Sequence, residues 1–128
     1  MHPKKPLTPN VDDANYAEKN YKLRQVISFG MIEIESYLWI LTKIKVLENY
    51  EKWPEGTAEN CIAAINNALP IASAWLEDQD YIAGDRFTIA DIYHYHLFSW
   101  LKMVGIALPE PVKPYVKRLS AREHFPKR

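Results

Sequence analysis

Cysteine and glycine are scarce: Cys61 is the single cysteine, and there are four glycines in 128 residues. One thiol excludes an internal disulfide and fits a reducing, cytoplasmic setting. No sign of charge prevails, because 16 Lys and Arg balance 16 Asp and Glu. That balance argues against a general nucleic-acid binder or a protein held on an anionic membrane surface. No apolar stretch approaches the length of a membrane span. Met1-His2-Pro3-Lys4-Lys5-Pro6 leads into polar residues, not into the apolar run of a signal peptide. Alternating strand patterns, repeats and low-complexity segments are missing. So are a Gly-rich phosphate loop, a Cys-x-x-Cys pair and a Ser/His/Asp arrangement.

What is present is apolar and helical. The hydrophobic fraction is 48% and the aromatic fraction 12%, enough to exclude a disordered chain. The length predicts one domain, able to bury roughly two-thirds of its unfolded surface. Residues 1–11 carry three prolines and read as a lead-in or linker, leaving 12–128 as the folded domain. Asp12 or Asp13 can cap a first helix running from about Ala14 to Tyr50. Its predicted core stripe is Ile27, Met31, Ile34, Leu38 and Leu41, and Gly30 suggests a bend. Thr57, with Asn60, is the expected cap of a second helix ending near Asp78, which Pro70 should kink or split. A third helix runs from Thr88 to about Val104, closed by Gly105. Ile89, Ile92, Tyr93, His96, Trp100 and Met103 share one face of it, with Phe98 and Leu101 on the other side. A helix apolar nearly all round is a buried one. Pro109-Glu110-Pro111 opens a last helix with Val112, Tyr115, Val116 and Leu119 inward. The expected architecture is all-α: four to five antiparallel helices around a buried central helix.

The densest local signal is Tyr81-Ile82-Ala83-Gly84-Asp85-Arg86-Phe87-Thr88-Ile89-Ala90-Asp91-Ile92. Thr88 and Asp91 stand three apart before an apolar run, which predicts a capping box. Phe87 and Ile92 flank it at the spacing of a hydrophobic staple, and Gly84-Asp85 marks the preceding turn. This stretch, preceded by a helix ending in Ala74-Trp75-Leu76, resembles the C-terminal helical domain of the glutathione S-transferase family. Leu7-Thr8-Pro9 ahead of a long helix resembles that domain's opening. Leu119-Ser120-Ala121-Arg122-Glu123-His124-Phe125 resembles its closing helix, with Glu123-His124 in place of the usual Pro and its follower.

The resemblance implies a partner that these residues do not include: a thioredoxin-like domain, missing or separate, which binds glutathione and carries the thiol-activating residue. Glutathione is then a co-substrate of the complete protein, and this chain holds no cofactor of its own. The domain is expected to form the electrophilic co-substrate side, inactive in conjugation alone. The alternative is a stand-alone interaction or homodimerisation module of the same fold.

Chemistry on the chain itself is sparse. A second stripe on the first helix, about a quarter turn from the core stripe, carries Tyr21, Arg24, Ser28, Ile32, Glu35, Trp39 and Thr42, with Tyr21, Ser28, Ile32, Glu35 and Trp39 as the candidate pocket face. It reads either as an ordinary flanking face or, by the resemblance, as the wall of the substrate cleft. Ser28, Glu35 and Ser36 stand where bacterial members carry an Asn that reaches glutathione and a His and Lys that line the cleft. None of the three residue types is retained. His94 and His96 point about 200° apart on a helix and cannot share a metal. His96 is expected to be an interior, hydrogen-bonded histidine. Glu33 and Glu35 fail as a carboxylate pair for the same reason. Cys61 reads as a small buried hydrophobe, and Trp39, Trp75 and Trp100 as core or flanking aromatics.

Overall fold

The computed structural model describes residues 7–47 and 53–122, and the helices α1 (Tyr16–Phe29), α2 (Ser36–Lys45), α3 (Thr57–Glu77), α4 (Ile89–Met103) and α5 (Val112–Ser120) account for most of them. A π-helical segment, Gly30–Glu35, joins α1 to α2 without a break. The fold is all-α, and no strand forms among the described residues. The predicted tail of the first helix at 48–50 and the motif residues Glu123, His124 and Phe125 lie outside the described residues.

α2 packs on α3, α1 and the π segment pack on α4, and α5 bridges α3 and α4. Val26, Ile34, Leu38, Ile65, Leu97 and Phe98 are fully buried where these elements meet. Each such side chain contributes roughly 1.5–3 kcal/mol relative to exposure.

The first helix corrects the expected phase. Leu23, Val26, Gly30, Ile34, Leu38 and Leu41 form the buried stripe, whereas Met31 is 54% exposed. The buried positions recur three or four residues apart from Leu23 to Leu41, so the stripe keeps one face through the π segment and passes through Gly30, where Met31 was expected. Gly30 opens the π segment. It is the point of closest approach to α4. A Cβ there would meet Tyr93 Cε2 at 2.8 Å, His94 Cε1 at 2.9 Å and Leu97 Cδ1 at 3.0 Å, so only glycine fits without displacing them.

Helix ends follow local chemistry, with two corrections. The residue capping α1 is Asn15, in the left-handed region (φ 62), with no side-chain cap bond. Asp13 accepts from the Asn10 N–H (2.9 Å) and pairs with Arg86 (3.3 Å), so its carboxylate is engaged away from the helix. Gly56 caps α3, and the Thr57 hydroxyl donates to the Pro54 carbonyl (2.7 Å). α3 runs through Pro70 as one helix. α4 closes in a Schellman arrangement: Gly105 N–H donates to the Lys102 carbonyl and Ile106 N–H to that of Leu101. The lead-in is tied down as well, because the Leu7 carbonyl accepts from Ile89 N–H (2.8 Å).

The N-terminus of α4 is a polar knot inside the core. Thr88 Oγ1 accepts from Ala90 N–H (3.2 Å), Asp91 Oδ2 accepts from Thr88 N–H (2.8 Å), and both halves of the capping box form. Asp91 Oδ1 also accepts from Ile82 N–H (2.9 Å) and the Tyr115 hydroxyl (2.6 Å). Burial holds the Asp91 carboxyl above its ordinary range despite those donors. Gly84, at φ +152, closes the turn before it through paired hydrogen bonds with Tyr81. Phe87 packs edge-on against Tyr81 and beneath the Arg122 guanidinium, and Ile92 is 40% exposed.

Candidate functional site

His96 of α4 was expected in the interior, and the structure buries His94 instead. His94 is fully buried and His96 is exposed. Because α4 is apolar on most sides, its periodicity carries little phase information. Of the face grouped as Ile89, Ile92, Tyr93, His96, Trp100 and Met103, Ile89, Ile92, His96 and Met103 are exposed, while Tyr93 and Trp100 are partly buried. His94 Nε2 lies 2.9 Å from the Val26 carbonyl, so it carries the hydrogen and donates; Nδ1 has no partner among the described residues. Burial lowers the His94 pKa to about 4, against the smaller opposing effect of the Val26 bond. The imidazole is therefore a neutral structural group. The two histidines face different surroundings, and no group of three or more His, Cys, Asp or Glu able to hold a metal occurs among the described residues. Cys61 is buried, and desolvation raises its thiol pKa, which works against thiolate chemistry.

The open face of α4 meets α2, α5 and the 107–108 connection around a cleft of about 1140 Å³. Trp39, Tyr95, Trp100, Met103, Leu108 and Val116 supply most of its apolar wall. The two indoles meet edge to face, centroids 4.8 Å apart at 85°, an arrangement favoured by aromatic quadrupoles. His96 stacks at a tilt on Trp100, 5.6 Å away.

Polar tethers hold both indoles. Trp100 Nε1 donates to Thr42 Oγ1 (2.7 Å), and the Thr42 hydroxyl passes its own hydrogen to the Leu38 carbonyl (2.7 Å). Trp39 Nε1 donates to Glu35 Oε2 (3.2 Å), while the Tyr93 hydroxyl donates to Glu35 Oε1. Burial, with the Glu35 hydrogen bond and charge, holds the Tyr93 phenol well above its usual pKa, so it remains a donor. With both N–H groups satisfied, the indole rings are left to present apolar surface. Such a wall can bind a flat apolar molecule. No cysteine stands among its described lining residues.

Of the predicted stripe, Trp39 enters the cleft and Glu35 anchors it. Ile32, Ser28 and Tyr21 lie on an exposed ridge outside the cleft lining; Tyr21 is 69% and Ile32 63% exposed. Thr42 of the same stripe also lines the cleft, whereas sequence reasoning missed Tyr95, Lys102, Lys113 and Lys117 as members of one site. His96, Trp100 and Met103 had been placed on a common face, which was the available signal.

The model of the family described as Glutathione S-transferase, C-terminal domain, matches residues 32–123. Among solved structures, the chain is similar to BphK, a bacterial glutathione S-transferase studied as a ternary complex (22% identity, TM-score 0.74, covering 91% of this chain and 54% of that one). It is also similar to a sphingomonad glutathione S-transferase complexed with glutathione (22%, 0.73, 91% and 53%). A third similar structure is a glutathione S-transferase from Xanthobacter autotrophicus Py2 (17%, 0.80, 95% and 58%). No curated protein matches at a significant level. The chain spans about half the length of the structures it matches.

Proposed function

Because the chain belongs to the glutathione S-transferase C-terminal domain family, we propose that it is the electrophilic co-substrate side of a glutathione-transferase-like protein. In the complete protein a thioredoxin-like domain binds glutathione and lowers its thiol pKa. The thiolate attacks an electrophilic carbon, forming the C–S bond as the leaving group departs with its electron pair. The domain described here holds that electrophile in place, and positioning of this kind is a large part of such catalysis. The observation that carries this reading is the open cleft walled by the tethered Trp39–Trp100 pair. The uncovered apolar face of α4 supports a further element of it: this face is where the thioredoxin-like domain packs. Alone, the chain is inactive in conjugation. A buried free thiol suits a cytoplasmic setting.

The test uses the purified chain with a neutral aryl-halide electrophile. Saturable quenching of tryptophan fluorescence with no conjugation of glutathione above background is the expected result. Absence of binding, or a conjugation rate that scales with protein concentration, contradicts the reading.

A second reading, a stand-alone interaction or homodimer module, draws on the exposed ridge of Tyr21, Met31 and Ile32. Sedimentation decides it: concentration-dependent association abolished by Ile32→Ser supports it, and a monomer at all concentrations removes it.

A further inference from the structure

A half-exposed indole on a helix surface, such as Trp39, has more than one staggered rotamer open to it. Its N–H donates to Glu35 Oε2 (3.2 Å), one turn back. A pair four residues apart on a helix surface is a weak restraint by itself, and glutamate is a long side chain with much rotamer freedom to lose. A second bond removes that freedom: the Tyr93 hydroxyl of α4 donates to Glu35 Oε1. Tyr93 is itself seated by a glycine. Its ring edge fills the space in front of Gly30, with Cε2 only 2.8 Å from where a Cβ would stand. Gly30 and Glu35 are the first and last residues of the π segment, so that segment meets Tyr93 at both ends. Helical stretches of this kind recur at functional sites. Gly30, Glu35 and Tyr93 all stand outside the cleft lining.

We propose that Tyr93 and Glu35 are positioning residues of the cleft: the π segment, docked on α4 at Gly30, fixes the Trp39 wall through the Tyr93–Glu35 pair. This rests on the co-substrate reading of the cleft and adds to it the control of the wall from outside the lining. The contacts run from Gly30 to the Tyr93 ring, from the Tyr93 hydroxyl to Glu35, and from Glu35 to Trp39. A ligand that meets an already ordered wall does not have to order it, and binds tighter for that reason. The facing indole has a separate anchor, because Trp100 Nε1 donates to Thr42 Oγ1 (2.7 Å). Loosening the Glu35 pair therefore frees one wall and leaves the other in place. Position 35 bears on affinity without touching the ligand.

The experiment titrates the full chain with N-phenyl-1-naphthylamine, a neutral aromatic probe whose fluorescence rises in apolar surroundings. In parallel, nitrogen–proton correlation spectra follow the Trp39 indole N–H, assigned by its loss in Trp39→Phe. Tyr93→Phe and Glu35→Leu are each expected to weaken binding by about three- to fivefold. In both, the Trp39 N–H signal should move and exchange faster with water. Glu35→Gln keeps an acceptor for one of the two donors and should fall between wild type and Glu35→Leu. In a Trp39→Phe background, which has no N–H to hold, Glu35→Leu should change affinity no further. Thr88→Ala, a destabilising change at the far end of α4, should leave affinity and the Trp39 signal as they are. Wild-type binding with Tyr93→Phe and Glu35→Leu unchanged overturns the positioning role and leaves the cleft reading standing. An equal affinity loss in Thr88→Ala also overturns it, since general loosening would then explain the effect. Failure of wild type to bind the probe overturns the cleft reading, and this proposal with it.

Discussion

The two ends of α4 put polar chemistry to opposite uses. At its start, Asp91 is buried and gathers Thr88, Ile82 and Tyr115 onto one carboxylate. At its finish, Trp100 has its N–H tied to Thr42 while its ring, with Met103 and Lys102, faces an open cleft. The first end spends its groups on holding three parts of the chain together. The second keeps apolar surface and charge available to a ligand. Substitutions at the first end should cost stability. Those at the second should cost binding.

The sharpest break in that comparison is Asp91→Ala. It leaves two backbone N–H groups and the Tyr115 hydroxyl without their buried acceptor, and should destabilise by about 3 kcal/mol or more. Urea denaturation reads this; a loss below about 1 kcal/mol would reduce Asp91 to an ordinary cap.

His94 predicts a pH dependence of comparable size. Its folded pKa of about 4 lies below the ordinary value near 6.5, so the unfolded chain binds the proton more readily. Stability therefore rises with pH across that window, and falls as pH drops from about 6.5 toward 4, by up to about 3 kcal/mol. Asp91 acts in the opposite sense: its raised folded pKa favours the folded state as pH falls. His94→Gln keeps a donor for the Val26 carbonyl and leaves Asp91 in place. Denaturant titrations from pH 4 to 7 should show a flatter dependence in the variant, and an unchanged slope would remove His94 as its source.

Gly30→Ala follows. The added methyl meets α4 side chains at 2.8–3.0 Å and should cost about 1–3 kcal/mol. A neutral result would mean that the π segment and α4 separate freely. Smaller still is Thr88→Ala, at about 1 kcal/mol. It should be non-additive with Asp91→Ala, because one capping box contains both; a double-mutant cycle in urea measures the coupling.

Three helix ends were legible in the sequence, although the caps of α1 and α3 were not. The Thr88 cap, the closure at Gly105 and the stop at Asp78 each depend on residues within one turn, so local chemistry decides them. Helix phase was less legible. Met31 was expected inside and is exposed, because the neighbouring Gly30 takes the position that faces α4, and a glycine carries no apolar signal. His96 was expected inside and is exposed, with His94 buried in its stead, because an α4 sequence apolar on most sides does not say which side is covered. The cleft was legible in its first-helix portion, where Glu35, Trp39 and Thr42 recur at helical spacing, and in the shared face of His96, Trp100 and Met103 on α4. Lys102, Lys113 and Lys117 reach the same rim from α4 and α5 through tertiary packing, for which no local pattern exists.

The division of labour along α4 is tested most directly at Trp39, which is 50% exposed and walls the cleft. Fluorescence titration of a neutral aromatic probe, read through Trp100, should be run on wild type and Trp39→Ser beside thermal melts. The account predicts an affinity loss of about tenfold, consistent with removal of one aromatic contact, and a melting temperature within a few degrees of wild type. Unchanged affinity, or a collapse of the melt, would contradict it.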